Sequence, residues 1–566
     1  MGNFFTAPKF VNYTEKTLYG ILGGLADKLS DGPDFVRRNP DQKKFFYEGQ
    51  KEIANAPVIG SQWKLGYACV DLTPADYKEH EYYLGGYLTP DNGFNNRIEN
   101  TVDKMMCRII SLDDCSGRGA SLFATIDCIG TGNKHIKIIR RRFADLLKVN
   151  GIHANIASVN VFSTHAHSCV DTQGLWTATG RKVLRNLKKN RSGKGIYIAG
   201  PDEGYMNFLT MRVAEGMLTA YKDMCAGTMT FARKDIGNDY FVNKNRKSAT
   251  ALVTDMIRFI FTPDDKTVKP TLIASIAAHP DVAGLPTSDG SGSGRELCGE
   301  YIYYMGEVIN KAGYNFMFFN GAICAVYMAR NATNDGVTFA HRYEQSIRYG
   351  NELGKIALAL TKTKEEIEND PLLADRKNVA EDRAASEKNG IPYTLWYENW
   401  TPATEKEVAS LLNIRLTQVQ IPVTNPLIKI VGKLELAAYR VNVLGDNQYS
   451  ITTEAGYVQI GQDFTSVLVP GEFCQDLLVG GDSLKAEGSW KNEDFGLPSV
   501  NKIFGEGTYA FGLANDAIGY IVPDNDYVLG EFSEHYHELI SLGEKTGSSV
   551  IRALCSLKEI YGSDDI

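Results

Sequence analysis

The chain has 566 residues, of which 43% are hydrophobic, and its 60 basic and 68 acidic side chains leave a net charge of −8. This composition fits a large globular core and lacks the basic footprint of a nucleic-acid binder, so no nucleic-acid partner is expected. No run reaches the roughly 18 apolar residues that a bilayer-spanning helix needs, so no transmembrane segment is expected. Residues 1–60 read as an N-terminal extension. Within them, Tyr19–Leu29 has the spacing of an amphipathic helix, and charged, proline-containing sequence follows. No basic n-region with an apolar h-region is seen, which predicts a cytoplasmic protein. The ten cysteines form no CxxC pair and lie mostly in apolar runs, in keeping with a reducing compartment.

The main domain, residues 61–566, opens at Trp63–Asp71. Strands are predicted at Met105–Leu112 and Ser121–Ile126, followed by a basic helix at Asn133–Lys148 and an apolar strand that runs into His165. The basic stretch Arg181–Lys194 reads as a solvated loop. A helix over Glu203–Tyr221 and a strand over Thr228–Ala232 continue the alternation, which predicts an α/β fold with a mixed sheet core and helices. The glycine-rich Ser288–Arg295 lacks the ending of a phosphate-binding loop and reads as a loop near the site. Lys362–Asn389 reads as a charged helical excursion. From Ile414 the pattern turns to period two, at Ile414–Val419, Lys433–Leu436, Tyr457–Ile460 and Thr465–Val469. This predicts an antiparallel β-meander in the C-terminal third.

Three of the nine histidines stand at the ends of apolar strands. His165 and His167 close one such run, in Thr164-His165-Ala166-His167-Ser168, and His279 closes Leu272–Ala278. One histidine at such an exit is ordinarily a rim residue satisfied by a carbonyl. Two on one strand face, with a third at an equivalent exit, suit a zinc site, because zinc takes imidazole and carboxylate ligands. Ser168 lacks the Gly-x-Ser-x-Gly elbow of a serine hydrolase. Further on, Pro470-Gly471-Glu472 ends the meander, and Gly512-Leu513-Ala514-Asn515 leads to Tyr520-Ile521.

Taken in order, the Thr-His-x-His-Ser segment, His279-Pro280, Pro470-Gly471-Glu472 and Gly512-Leu513-x-Asn515 with Tyr520-Ile521 resemble the neutral/alkaline non-lysosomal ceramidases. The resemblance runs from about Gly66 to the C-terminus. It implies a zinc-dependent hydrolase of a linear N-acyl amide, acting through a metal-activated water, and so a small-molecule amide substrate and a place in sphingolipid metabolism. His165, His279, Glu472 and Tyr520 would hold Zn2+. His167 and Tyr520 would act in catalysis, and His167 and Arg246 would orient the substrate. Two positions depart from the family: Ala325 and Tyr327 stand where it has Asp and Ser. That departure keeps open a second reading, a catalytically silent relative whose metal is structural or ligand-binding, and it predicts poor hydrolysis of long-chain ceramide.

Overall fold

The computed structural model describes residues 8–37, 43–49, 59–87, 96–198, 200–244, 250–283, 293–329, 342–388, 390, 393–531 and 535–561. Arg246 and most of the Ser288–Arg295 loop lie outside the described residues.

Two sheets carry the fold. The larger has nine strands, in the order Asn315–Asn320, Thr271–Ile276, Asp255–Pro263, Cys225–Asp235, Trp63–Asp71, Met106–Asp113, Ala120–Ile126, Ile156–Ser163, with Lys406–Glu407 added beside Cys225–Asp235. It is mixed. The pairs at its two ends, Thr271–Ile276 with Asn315–Asn320 and Ala120–Ile126 with Ile156–Ser163, run parallel, and the strands between them run antiparallel. The smaller sheet has six strands: Phe35–Val36, Val441–Gly445, Gln448–Ile460, Phe464–Leu468 and Tyr509–Phe511 in order, with Leu412–Pro422 also paired to Gln448–Ile460.

The expected α/β architecture and C-terminal meander are present, with three differences. Phe464–Leu468 runs parallel to Tyr509–Phe511, so the second sheet is not purely antiparallel. Lys433–Leu436 is not a strand: Pro426–Lys433 is a helix whose N-cap Asn425 accepts the Leu427 N–H, with Pro426 in the first turn. Four alternating residues are too few to outweigh an Asn-Pro helix start. Arg181–Lys194 also differs, since Thr179–Ser192 is a helix. Its Lys182 is buried and donates to the carbonyls of Gly174, Gly200 and Leu436.

The sheets pack face to face through one apolar core that includes Phe162, Phe259 and Phe319 from the first and Phe464, Val467 and Phe511 from the second. Ring centroids of Phe162 and Phe319 lie 4.9 Å apart, and those of Phe319 and Phe511 lie 4.7 Å apart. Helices cover the other face of the large sheet. Asn133–Val149 and Glu203–Lys222 bury Ile139, Phe143, Leu209 and Val213 against Leu122 and Val159, while Glu300–Lys311 and Arg342–Ala359 cover Leu272 and Phe318. The second sheet is backed by Thr546–Tyr561. The described N-terminal residues join this sheet: Phe35–Val36 pairs with Val441–Asn442, and Lys433 Nζ donates to the carbonyls of Ala26 and Leu29 at 3.0 Å. No helix among the described residues is long and apolar enough to cross a membrane.

Candidate metal centre

Four loops that leave strand ends meet at one point. The strand Ile156–Ser163 stops two residues before His165, which adopts the left-handed conformation at φ 67°. His165 and His167 are therefore brought together by a strained turn and not by the pleat of a strand, as the sequence suggested. Their ring centroids are 4.8 Å apart, and His279 lies 4.8 Å from His165 and 5.8 Å from His167. His279 follows the strand Thr271–Ile276 and bridges to Tyr327. Asn320, at the end of the next parallel strand, ties both histidine loops: its Nδ2 donates to the carbonyls of Thr164 at 2.7 Å and Ala278 at 3.3 Å.

Glu472 arrives from the second sheet. It pairs in parallel register with Tyr520 through a two-residue ladder, so the main chain holds carboxylate and phenol side by side. Glu472 Oε2 lies 2.9 Å from His279 Nε2 and 3.2 Å from His165 Nε2. Tyr520 stands farther off, its ring 6.4 Å from that of His279. All five residues are buried, with exposures from 0 to 9%.

The hydrogen bonds of the two ring systems test the fit to a metal. His165 Nδ1 meets the Ile129 carbonyl at 2.7 Å, and His279 Nδ1 meets the Val326 carbonyl at 2.9 Å. A carbonyl only accepts, so each Nδ1 carries its hydrogen and each Nε2 is turned inward, toward Glu472. Two Nε2 atoms and a carboxylate oxygen then face one another, an arrangement held together by protons on the nitrogens or by a metal cation in their place. Ligands on a tetrahedral zinc ion lie about 3.3 Å apart, close to the spacings here. Carbonyl-anchored imidazoles are also the usual way of fixing a metal-ligating tautomer. Burial alone would raise the Glu472 pKa, but His165 and His279 outweigh it and hold the carboxyl well below the ordinary range. The donor set fits zinc.

His167 differs from its neighbours. Among the described residues, neither of its buried ring nitrogens has a hydrogen-bond partner, although one lies within 4.8 Å of the ligand atoms of the other two histidines. Burial, reinforced by His165 and His279, holds its pKa well below the usual imidazole value, so the ring is neutral. Gly86 makes room for it: a Cβ there would meet the His167 ring at 2.7 Å, and φ at Gly86 is 129°. Tyr327 stacks on His279 at 4.4 Å and 18°, with its hydroxyl bonded to that of Tyr536. Ser168 is committed to Glu300, its Oγ donating to Oε1 at 2.9 Å, and is no free nucleophile.

The structure thus brings together His165, His167, His279 and Glu472, with Tyr520 at the margin, while Arg246 lies outside the described residues. Sequence reasoning missed Asn320 and Gly86. The only sequence signal for Asn320 is its place before Gly321, after an apolar run.

No protein-family model and no curated protein sequence matches the chain. Among solved structures, neutral ceramidase from Pseudomonas aeruginosa superposes with a TM-score of 0.54 at 11% identity, over 89% of this chain and 75% of that one. A ceramidase complexed with C2 gives a TM-score of 0.55, also at 11% identity, over 89% and 76%. The chain is therefore similar in fold to the neutral ceramidases, at a distance where little sequence identity remains.

Proposed function

We propose that this protein is a zinc-dependent amidohydrolase acting on a small N-acyl amide, with the ion held by His165, His279, Glu472 and Tyr520. The observation that carries this reading is the convergence of two backbone-anchored imidazole Nε2 atoms and one carboxylate beside an imidazole that has no other partner among the described residues. A zinc ion in such a donor set supplies Lewis acidity and lowers the pKa of water to about 7.

The chain's own groups supply the rest. His167, kept neutral, offers one lone pair and one N–H, enough to accept a proton from the attacking water and return it to the leaving nitrogen. The Tyr520 phenol, whose pKa burial and then Glu472 hold far above the ordinary range, keeps its hydrogen, so it would meet the ion through an oxygen lone pair while donating its O–H toward the substrate oxygen as charge develops there. Burial of the five residues excludes bulk water and strengthens both effects. Tyr327, against His279, narrows the space beside the centre, which favours an acyl amide smaller than ceramide. Arg246 is assigned to substrate orientation on the resemblance alone.

The same Tyr327 favours a second reading, a protein that holds the ion but does not turn over. Metal analysis of the purified protein, followed by hydrolysis assays on a panel of N-acyl amides, separates the two. One zinc per chain with chelator-sensitive hydrolysis establishes the first reading, zinc without hydrolysis establishes the second, and absence of zinc rejects both.

A further inference from the structure

A cavity of about 580 Å³ opens between the helix Asn133–Val149, the strand Val441–Gly445 and residues 44–45, and none of the five metal-centre residues lines it. Its wall carries five basic side chains: Lys44, Lys134, Lys137, Arg141 and Arg440. Lys134, Lys137 and Arg141 recur at spacings of three and four, so one stripe of the helix faces the cavity, while Ile136, Ile139 and Phe143 are buried in the core. The chain as a whole has more acid than base, so composition does not explain this convergence.

Acidic groups stand near several of these cations, and Lys137 interacts with Glu454 and Asp516. Lys134 Nζ reaches Asp34 at 2.6 Å, and Arg440 approaches the same carboxylate at 4.0 Å. Asp516 also lines the cavity, but its Oδ1 accepts the backbone N–H groups of Asn133 and Ala517, each at 2.9 Å. The three consecutive arginines make a useful contrast. Arg140 forks onto Glu454 with two bonds of 2.8 Å, and Arg142 holds Asn207 and Thr210. Arg141, between them, makes no hydrogen bond or ion pair among the described residues. Arg440 Nε is buried without a hydrogen-bond partner. A solvated cationic helix face would leave its charges on a convex surface in water, whereas these converge on a concavity that also presents the rings of Phe45 and Tyr439.

We propose that this cavity binds a phosphorylated small molecule of nucleotide size, with phosphate oxygens taken by Lys137, Arg141 and Arg440 and its apolar body set against Phe45 and Tyr439. Guanidinium forks match phosphate oxygens in pairs, and the adjacent first helical turn favours negative charge. The volume falls within the range of ligand pockets. Five cations converging on one cavity favour a ligand of charge −2 or more.

The test is calorimetric titration of the full-length protein with ATP and with inorganic tripolyphosphate, alongside sedimentation with phosphatidylcholine vesicles with and without phosphatidic acid. ATP is expected to bind more tightly than tripolyphosphate, which lacks an apolar body. Retention on phosphatidic acid vesicles alone would assign the same phosphate chemistry to a lipid headgroup. Lys137→Glu/Arg440→Glu should weaken binding at least tenfold, and the milder Arg141→Gln several-fold, with thermal melts reporting that both variants are folded. Arg185→Glu/Lys188→Glu, an equal charge change on the Thr179–Ser192 helix, should change affinity less than twofold. No binding in any arm, or equal losses in the cavity and control variants, overturns the proposal. The readout is binding, so the outcome is independent of the amidase reading.

Discussion

His167, beside the proposed ion, and His279, one of its ligands, should respond differently to truncation. In His167→Ala, removing a ring whose buried nitrogens lack partners relieves desolvation costs of about 1–3 kcal/mol per group. The void left by the ring costs about 2–4 kcal/mol. The two effects largely offset, so chemical denaturation should show a stability change within about 2 kcal/mol of zero. His279→Ala instead removes the bond to the Val326 carbonyl, the stack on Tyr327 and the group facing Glu472, and should cost about 3–5 kcal/mol. Inductively coupled plasma mass spectrometry should find zinc near the wild-type level in His167→Ala and little in His279→Ala. Amide turnover by zinc-loaded His167→Ala should fall about 10²- to 10⁴-fold, the usual worth of a positioned acid–base group. If His167→Ala loses zinc as fully as His279→Ala, His167 is a ligand and its assignment as the proton carrier is wrong.

Three further outcomes are expected. Wild-type protein should release little sphingoid base from long-chain ceramide in detergent micelles, and Tyr327→Ser should raise that rate relative to a short N-acyl amide; a decrease on both substrates would show that Tyr327 supports the centre and does not restrict it. Glu300, pushed up to about 7 from 4.5 by burial, is favoured in its protonated form by the fold. Its stabilising contribution is therefore complete below pH 4.5 and is lost as pH rises through 7, amounting to about 3 kcal/mol across that window. Glu300→Gln should flatten this slope in denaturation curves measured across the window, and an unchanged slope would place the titration elsewhere. Asn320→Leu leaves the Thr164 and Ala278 carbonyls without their donor and should weaken zinc binding by about 10- to 100-fold in chelator competition, with the native fold retained by circular dichroism.

Much of the centre was legible because its side chains sit where apolar runs end. His165, His279 and Glu472 each follow a stretch of β-rich, buried residues, and the loop beyond such a stretch is where a sheet presents groups to a ligand. Strand periodicity does not account for the His165–His167 pair. Period two assumes a strand that continues, whereas φ of 67° at His165 ends it, and no feature of Thr-His-Ala-His-Ser announces that turn. Asn320 and Gly86 act through contacts with loops more than 40 residues away in the chain, Gly86 with His167 and Asn320 with Thr164 and Ala278, and carry no periodic signal. Lys433–Leu436 failed for a local reason: the Asn425-Pro426 start outranked a short alternation.

Through the contacts of Glu472 with His165 and His279, the ladder joining Glu472 to Tyr520 ties together chain segments that are about 190 to 310 residues apart. No single stretch of chain contains enough of the centre to form it in isolation. Contacts of such long sequence range carry a large loop-closure cost and are expected to form late in folding. Recovery of the imidazole–carboxylate cluster during refolding should therefore mark the end of assembly, and a cation captured there would act as a latch that slows the parting of the sheets.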